Sequence, residues 1–187
     1  MGVSGYGNDQ ELLLLRDQIN FYKPELIILV FCADNDRLDN SMNIRYVNYY
    51  KPYFEQHKST LLLKGQPVPH SAIHWFSENP FASKSYLIRM VVNAWFRNKN
   101  PEQILVPDPT HLIIREMFQL ASKNDSKLLI GLQKKDDPLI AFMDTTGIEY
   151  TDLSNDYVFP FSGNHWTPRG HRHVAEKLRP YLRELTD

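Results

Sequence analysis

The fold is decided by residues 22–36, YKPELIILVFCADND. Lys23-Pro24 ends a preceding helix, because the residue before a proline avoids the helical region. Leu26 to Phe31 is a continuous apolar run of strand length, and its uniform hydrophobicity is typical of a central parallel strand covered on both faces. A polar cluster follows at residues 33–40, at the carboxyl end of that strand, where open α/β sheets bind their ligands. The stretch therefore predicts a parallel α/β sheet with a site beside Asn35.

Helices and strands alternate on both sides of this stretch. Asn8, with Glu11 three residues later, indicates a helix start of the capping-box type, and Lys127 to Leu132 forms a second buried strand. The other predicted helices run from Asn79-Pro80 to Arg97, from Asp108-Pro109 to about Asn124, over Pro138–Met143 and from Pro168, and short strands are predicted at Thr60–Leu63 and Ile148–Leu153. This alternation predicts an α/β fold with a mostly parallel sheet.

One long middle helix carries a clear apolar face. Its members recur at three- and four-residue intervals and are Leu87, Ile88, Val91, Val92, Trp95 and Phe96. We expect this helix and the helix that begins at Asp108-Pro109 to form outer layers of the fold.

Composition and charge exclude several classes of function. The 187 residues are expected to form a single domain over residues 1–187. The chain contains 21 Lys and Arg and 22 Asp and Glu. It therefore has no excess of positive charge that would favour binding to nucleic acid or to an anionic membrane. Its apolar runs are too short to span a bilayer, and it lacks the pattern of a signal peptide. We expect a soluble chain as given, cytoplasmic or, behind an upstream leader, periplasmic.

The single cysteine lies within the first predicted strand region. Cys32 follows the apolar run LIILVF and has no second cysteine to pair with. It is most simply a small buried core residue rather than a nucleophile.

Residues 45–80 are rich in tyrosine, proline and histidine and are predicted to form a long loop segment beside the site. The aromatic residues of this segment include Tyr49, Tyr50, Tyr53, Trp75 and Phe76. They either line a substrate groove or pack locally, and local packing is the more frequent outcome in long loops. His57, His70 and His74 show no recognisable metal-ligand spacing with acidic or cysteine partners, so no metal site is predicted.

A histidine precedes the last predicted helix, in FSGNHWTPRGH at residues 161–171. Thr167 can cap this helix with its hydroxyl, and Pro168 suits the first helical position. An apolar face on the helix, comprising Val174, Ala175, Leu178, Tyr181, Leu182 and Leu185, is expected to pack on the domain, with a kink or frayed turn at Pro180. His165 thus lies on a loop held by a docked helix, which suits a general base. Taken alone, such a histidine is more often a surface or capping residue.

Four segments together resemble a known family. They are GVSGYGNDQELLLL at residues 2–15, YKPELIILVF at 22–31, NDRLDN at 35–40 and HWTPRGHRHVAEKL at 165–178, and they resemble the SGNH (GDSL-type) hydrolases of the bacterial branch. The resemblance covers both ends of the chain and implies a flavodoxin-like three-layer sandwich. In that family the site consists of a serine, a glycine, an asparagine and a histidine, and each lies in a separate segment, or block, of the sequence. The glycine corresponds here to Gly5, the asparagine to Asn35 and the histidine to His165.

The resemblance implies serine acyl-enzyme chemistry on a small or carbohydrate-linked ester, without a cofactor. Acyl transfer develops negative charge on the carbonyl oxygen, so fixed N–H donors at that oxygen supply much of the rate. The backbone amide of Gly5 and the side-chain amide of Asn35 would be these donors. His165 would accept the serine proton and return it to the leaving alcohol.

The chain departs from the family pattern in its nucleophile. The first block, a strand ending in a Gly-Asp-Ser turn, is absent from these residues, and Ser4, Ser59, Ser71 and Ser162 stand in no nucleophile-like context. We therefore expect a domain that is incomplete at its N-terminus and inactive on esters by itself. Its sheet would lack the N-terminal strands and expose an apolar edge that favours self-association or a partner strand.

The chain also departs from the family pattern in its triad acid. The positions two and three residues before His165 hold Gly163 and Ser162 instead of an acid. Asp156 is the candidate orienting acid, with Asp152 or a backbone carbonyl as alternatives.

A different class of function is also compatible with the sequence. A non-catalytic binding or interaction module would keep the cleft without the nucleophile. A flavodoxin-like nucleotide binder is disfavoured, because GVSGYG does not match the dinucleotide fingerprint.

Overall fold

A computed structural model of the chain describes residues 5–46, 49–97, 102–160 and 165–183. The predictions for Ser4, Ser162, Gly163 and Leu185 fall outside these ranges. The helices are α1 (Asn8–Tyr22), α2 (Asp36–Asn40), α3 (Ala72–Glu78), α4 (Tyr86–Arg97), α5 (Thr110–Lys123), α6 (Asp137–Thr146) and α7 (Pro168–Arg183), with a 3-10 turn at Ala82–Lys84. The strands are β1 (Leu26–Phe31), β2 (Ile44–Arg45), β3 (Tyr49–Tyr50), β4 (Tyr53–His57), β5 (Thr60–Lys64), β6 (Lys127–Leu132) and β7 (Glu149–Asp152).

The main sheet of the described residues is parallel and has three strands in the order β1-β6-β7. β1 and β6 pair along their whole length, from Leu26 opposite Lys127 to Phe31 opposite Leu132. β7 pairs with β6 from Glu149 to Asp152. The predicted α/β class with a parallel sheet is confirmed. Two antiparallel pairs, β2 with β3 and β4 with β5, form separate small ribbons.

Within the described ranges, β1 is an edge strand, so the expectation of a central strand is wrong for this part of the chain. The carbonyls of Glu25 and Phe31 accept the N–H groups of Lys127 and Gln133, at 2.9 and 3.0 Å. Alternate residues of a strand direct their backbone groups to opposite sides. The backbone groups of residues 26, 28 and 30 therefore point to the open edge. A groove of about 350 Å³ follows this edge, between residues 26–29 and α1.

The core lies where α1 packs against α5, and where α5 and α6 pack against the sheet. Ile113, Ile114 and Met117 of α5 are 0 to 2% exposed and belong to the same cluster as Phe31. The apolar positions of α5 recur three and four residues apart, which turns one face to the sheet. Phe54 joins this cluster and is fully buried, so the β4-β5 ribbon packs over α1 and α5. Burying each such side chain stabilises the fold by about 1.5–3 kcal/mol.

α4 ends at Arg97 as predicted but begins at Tyr86 instead of Asn79-Pro80, because the chain forms a separate 3-10 turn at Ala82–Lys84. It is not packed by its apolar face. None of its twelve residues is buried. Leu87, Val91 and Trp95 are 66, 57 and 61% exposed. The periodicity correctly predicted a helix in an outer position, but its apolar face is turned to solvent in the described part of the chain.

Local capping explains where the last two helices begin. Asp136 accepts the N–H of Leu139 at 2.9 Å and so caps α6. The predicted cap of α7 is confirmed, because the Thr167 hydroxyl accepts the N–H of Gly170 at 3.3 Å. α7 continues through Pro180 to Arg183. Its predicted packing face is only partly buried, since Val174 is 7% and Leu182 is 49% exposed.

Among the described helices, none combines the length and the apolar character needed to cross a bilayer.

Candidate functional site

The glycine turn before α1 packs against α2 at the carboxyl end of β1. A Cβ atom on Gly7 would lie 3.0 Å from Cβ of Asp39 and 3.2 Å from Oδ1 of Asn40. The backbone N–H of Asp9 donates to Oδ1 of Asn40 at 3.1 Å. The segment before α1 and the helix α2 therefore meet, although they are about thirty residues apart in the sequence.

Gly5 has a backbone conformation that favours glycine. Its φ is +84°, in the left-handed region that other residues adopt only with strain. A Cβ atom on Gly5 would lie 3.3 Å from the ring of Tyr46. Arg45 stacks on that ring, with Cζ 5.0 Å from the centroid, and forms an ion pair with Asp39. Gly5 is thus connected to α2 through Tyr46 and Arg45.

Asn35 stands immediately before α2 and is half-buried. Its side-chain amide donates to Oδ2 of Asp39 at 3.0 Å and to Oδ1 of Asp36 at 3.3 Å. An amide has two N–H donors, and here both are directed at the acidic side of α2. The structure therefore brings Asn35 to the predicted edge of the sheet, with its donors turned inward.

His165 is exposed and is held through its backbone. Its carbonyl accepts the N–H of Phe159 at 2.9 Å, and its neighbour Trp166 forms a bridge with Val158. Among the residues that the structure describes, no hydrogen bond or ion pair joins His165 to Asp152 or Asp156. Asp152 instead accepts the N–H of Ser154 at 2.9 Å. The orienting role of Asp156 therefore stays a prediction.

A cleft of about 610 Å³ opens across the carboxyl ends of the three parallel strands. It is lined by Asp34 after β1, by Gln133 and Lys134 after β6, and by Ser154, Asn155, Asp156 and Val158 after β7. Lys134 Nζ donates to Oδ1 of Asp34 at 2.8 Å. Asp34, which directly precedes Asn35, lies on one rim of the cleft. Val158 lies on the other rim and pairs with Trp166, which directly follows His165.

A buried polar cluster that no sequence pattern predicted lies behind the glycine turn. The side chains of Asp9 and Lys51 form an ion pair and are 0 and 3% exposed. Asn8 donates to Oε2 of Glu11 at 2.9 Å and to Oδ2 of Asp36 at 3.3 Å. The predicted capping role of Asn8 is wrong, because Gly7 occupies the cap position and the Asn8 amide is used within the cluster.

Burial changes the acidity of this cluster. It raises the pKa of Glu11 to about 7 and the pKa of Asp36 to about 6, because desolvation disfavours the charged carboxylate. The hydrogen bonds from Asn8 act in the opposite direction and are outweighed. Two carboxyl groups beside the site therefore change charge near neutral pH.

Arg37 fixes α2 to the starts of α5 and α6. Its Nε and Nη2 donate to Oδ2 and Oδ1 of Asp136 at 2.9 and 2.8 Å, and its Nη1 donates to Oδ2 of Asp108 at 2.6 Å. Paired N–H donors on one carboxylate give a strong and directional contact. The guanidinium hydrogen bonds hold the pKa of Asp136 below its usual value. This contact sets the position of α2 and, with it, of Asn35.

Two other predictions concerned reactive or metal-binding side chains. Cys32 is half-buried rather than fully buried, and burial raises the pKa of its thiol, which disfavours the thiolate. His70 and His74 were not expected to bind metal, yet they lie close together with Glu78. These three residues are not part of the lining of the cleft.

Comparisons with protein-family models, with curated proteins and with solved structures find no match for this chain.

Proposed function

We propose that this chain carries part of a serine acyl-transfer site of the SGNH type on a flavodoxin-like three-layer sandwich. The substrate is a small or carbohydrate-linked ester, and the reaction is hydrolysis or acyl transfer. Gly5 and Asn35 supply the oxyanion donors and His165 the base. The nucleophilic serine comes from outside the 187 residues.

The single observation that supports this proposal is the meeting of the glycine turn with α2 at the carboxyl end of β1. Three predicted site residues come from positions 5, 35 and 165. Gly5 lies on the glycine turn and Asn35 directly precedes α2, and the turn and α2 are in direct contact. The cleft across the three strand ends begins at Asp34, next to Asn35. Ligands of open α/β sheets bind at this edge.

The proposed reaction assigns one step to each group. The serine Oγ attacks the ester carbonyl carbon as its proton passes to His165. The backbone N–H of Gly5 and the amide of Asn35 bind the oxyanion. The intermediate then expels the alcohol, which takes the proton from His165, and an acceptor hydroxyl or water releases the acyl group by the reverse sequence.

Asn35 must turn one N–H away from Asp39 to act in this way. Arg45 pairs with the same Asp39 carboxylate, so that charge stays compensated when Asn35 leaves it. The exchange therefore costs one hydrogen bond and does not leave an unpaired buried ion.

A non-catalytic binding module is the second candidate. It is favoured by the engagement of the Asn35 amide with Asp36 and Asp39. It is also favoured by the absence, within the described ranges, of a carboxylate bonded to His165.

The test compares the chain alone with a fusion that carries a strand, a Gly-Asp-Ser turn, a helix and a second strand from a catalytic SGNH enzyme ahead of residue 5. Hydrolysis of p-nitrophenyl acetate and labelling by a fluorophosphonate are measured for both. We expect no label on the chain alone and serine-dependent label on the fusion. His165→Ala and Asn35→Ala should each lower kcat of the fusion by about 100-fold or more, whereas His57→Ala and Asn20→Ala, at exposed positions, should not.

Two outcomes would contradict parts of this proposal. A folded fusion that binds esters without hydrolysing them would favour the binding module. Robust hydrolysis by the chain alone, lost in His165→Ala, would place the nucleophile within the 187 residues.

The proposal includes self-association through the edge of β1. The backbone groups of residues 26, 28 and 30 face the open side, and Val30 is 39% exposed. Sedimentation over a concentration series should show larger species for the wild type than for Val30→Lys, since an edge lysine opposes strand pairing. Equal behaviour of the two proteins would exclude this interface.

A further inference from the structure

Two histidines and a glutamate lie together at α3. His70 precedes the helix, and His74 and Glu78 stand one turn apart on it, in the spacing H-x3-H-x3-E. One ligand atom from each residue lies within 4.8 Å of the others. Nε2 of His74 is 3.3 Å from Oε1 of Glu78. The rings of His70 and His74 meet edge to face, with centroids 4.4 Å apart.

The local structure holds these side chains on one side of the helix. The Ser71 hydroxyl accepts the N–H of His74 at 3.3 Å and so caps α3 directly after His70. Residues four apart on a helix share a face, which directs His74 and Glu78 the same way. His70 directly precedes this cap, and its ring lies beside that of His74.

The donor set matches zinc. Zinc binds imidazole nitrogen and carboxylate oxygen at about 2.0–2.2 Å in a tetrahedron, which separates neighbouring donors by roughly 3.3–3.5 Å. The distance from His74 to Glu78 already has this value. All three side chains are exposed, so rotation about their side-chain bonds can close the remaining gap to His70.

We propose that His70, His74 and Glu78 form a binding site for a divalent zinc-type metal ion. Two imidazoles select zinc over magnesium and calcium, which prefer all-oxygen ligands. Three protein ligands leave the fourth tetrahedral position to water or to a ligand from solution, as in open zinc sites. The site is independent of the proposed acyl-transfer function, because none of its residues takes part in that reaction.

The test is a zinc titration of the tag-free 187-residue protein against a chromophoric chelator at pH 7.5. We expect one equivalent of zinc on the wild type, with no competition from a large excess of magnesium. His74→Ala should weaken binding by at least ~10-fold, since even the loss of outer partners of a metal ligand has an effect of this size. His70→Ala and Glu78→Gln should also weaken it.

His57→Ala is the matched control, because His57 is an exposed histidine outside the cluster. It should bind zinc as the wild type does. Circular dichroism of each variant shows whether the fold is kept. Cobalt(II) gives a second readout, since a tetrahedral site produces strong visible absorption that His74→Ala should abolish.

Three results would overturn the proposal. They are a wild-type protein that leaves zinc with the chelator, an equal affinity in folded His74→Ala, and an equal loss of affinity in His57→Ala. Each would mean that the cluster is only a helix-stabilising contact between His74 and Glu78.

Discussion

Asn35 donates its side-chain amide to Oδ2 of Asp39 at 3.0 Å, and Arg45 forms an ion pair with the same carboxylate. Asp39 is 6% exposed, so its charge depends on these two partners. This carboxylate therefore both orients Asn35 and anchors the segment after α2.

Asp39→Ala should destabilise the protein by about 3–5 kcal/mol, because it leaves the Arg45 guanidinium without its carboxylate. Urea denaturation measures the free energy of unfolding. Asp17→Ala, at an exposed position of α1, should change it by less than about 0.5 kcal/mol. Similar values for the two variants would show that the Asp39 contacts do not stabilise the fold.

Gly7→Ala tests the contact between the glycine turn and α2. The added methyl would lie 3.0 Å from Cβ of Asp39, and overpacking of this kind costs about 1–3 kcal/mol. Thermal unfolding should show a lower Tm. A Tm equal to that of the wild type would mean that the turn and α2 are further apart than described.

The raised pKa values of Glu11 and Asp36 predict that stability falls as the pH rises. The folded state holds protons on these groups up to about pH 7 and 6, whereas the unfolded chain releases them at their usual lower values. Between about pH 4 and 7 the folded state therefore binds more protons, and the free energy of unfolding decreases with rising pH.

Glu11→Gln removes the contribution of Glu11 to this dependence. It should leave stability at pH 4 nearly unchanged and raise it at pH 8 by about 1–3 kcal/mol. Denaturant titrations at both values measure the difference. Glu176→Gln, at an exposed position of α7, should follow the wild type, and a Glu11→Gln profile parallel to the wild type would refute the assignment.

Arg37→Lys tests the geometry of the contact with Asp136 and Asp108. Lysine keeps the charge but cannot donate two parallel hydrogen bonds to one carboxylate. We expect a loss of about 1–3 kcal/mol in the free energy of unfolding. Arg179→Lys, on an exposed part of α7, is the control and should be neutral.

Truncation of a leucine in the core and truncation of a leucine in α4 should have different effects on the free energy of unfolding. Leu129 is fully buried, whereas Leu87 is 66% exposed. Leu129→Ala should therefore cost about 2–5 kcal/mol and Leu87→Ala less than about 0.5 kcal/mol. A large loss for Leu87→Ala in the free energy of unfolding would show that α4 is packed in solution.

Local sequence patterns predicted the helices and strands whose own residues form an apolar run or a capping motif. β1 and β6 were predicted with their observed limits, because each consists almost entirely of a continuous apolar run of strand length. α7 was predicted from Thr167 and Pro168, which act through the adjacent backbone. β4 and α3 were missed, because neither the YFEQH segment nor the AIHWFSE segment shows a regular apolar period.

Contacts between distant positions were not accessible to such patterns. The ion pair between Lys51 and Asp9 joins residues 42 positions apart, and no local signal in a Lys-Pro-Tyr-Phe segment indicates that the lysine is buried. The contact between the glycine turn and α2 joins segments about thirty residues apart, and no local pattern predicts it. The same holds for the inward orientation of the Asn35 amide, which depends on Asp36, Asp39 and Arg45 together.

The contacts that join α2 to Asp108 and Asp136 also determine at what stage of synthesis the position of Asn35 is fixed. A helix of five residues is too short to persist alone. Arg37 secures it to Asp108 and Asp136, which follow 71 and 99 residues later. On the ribosome, the segment from β1 to α2 leaves the exit tunnel long before these aspartates are made. The position of α2 against α5 and α6, and with it the position of Asn35, is therefore fixed only when most of the chain has been synthesised, and a chain that stalls before α6 would lack the contact with Asp136.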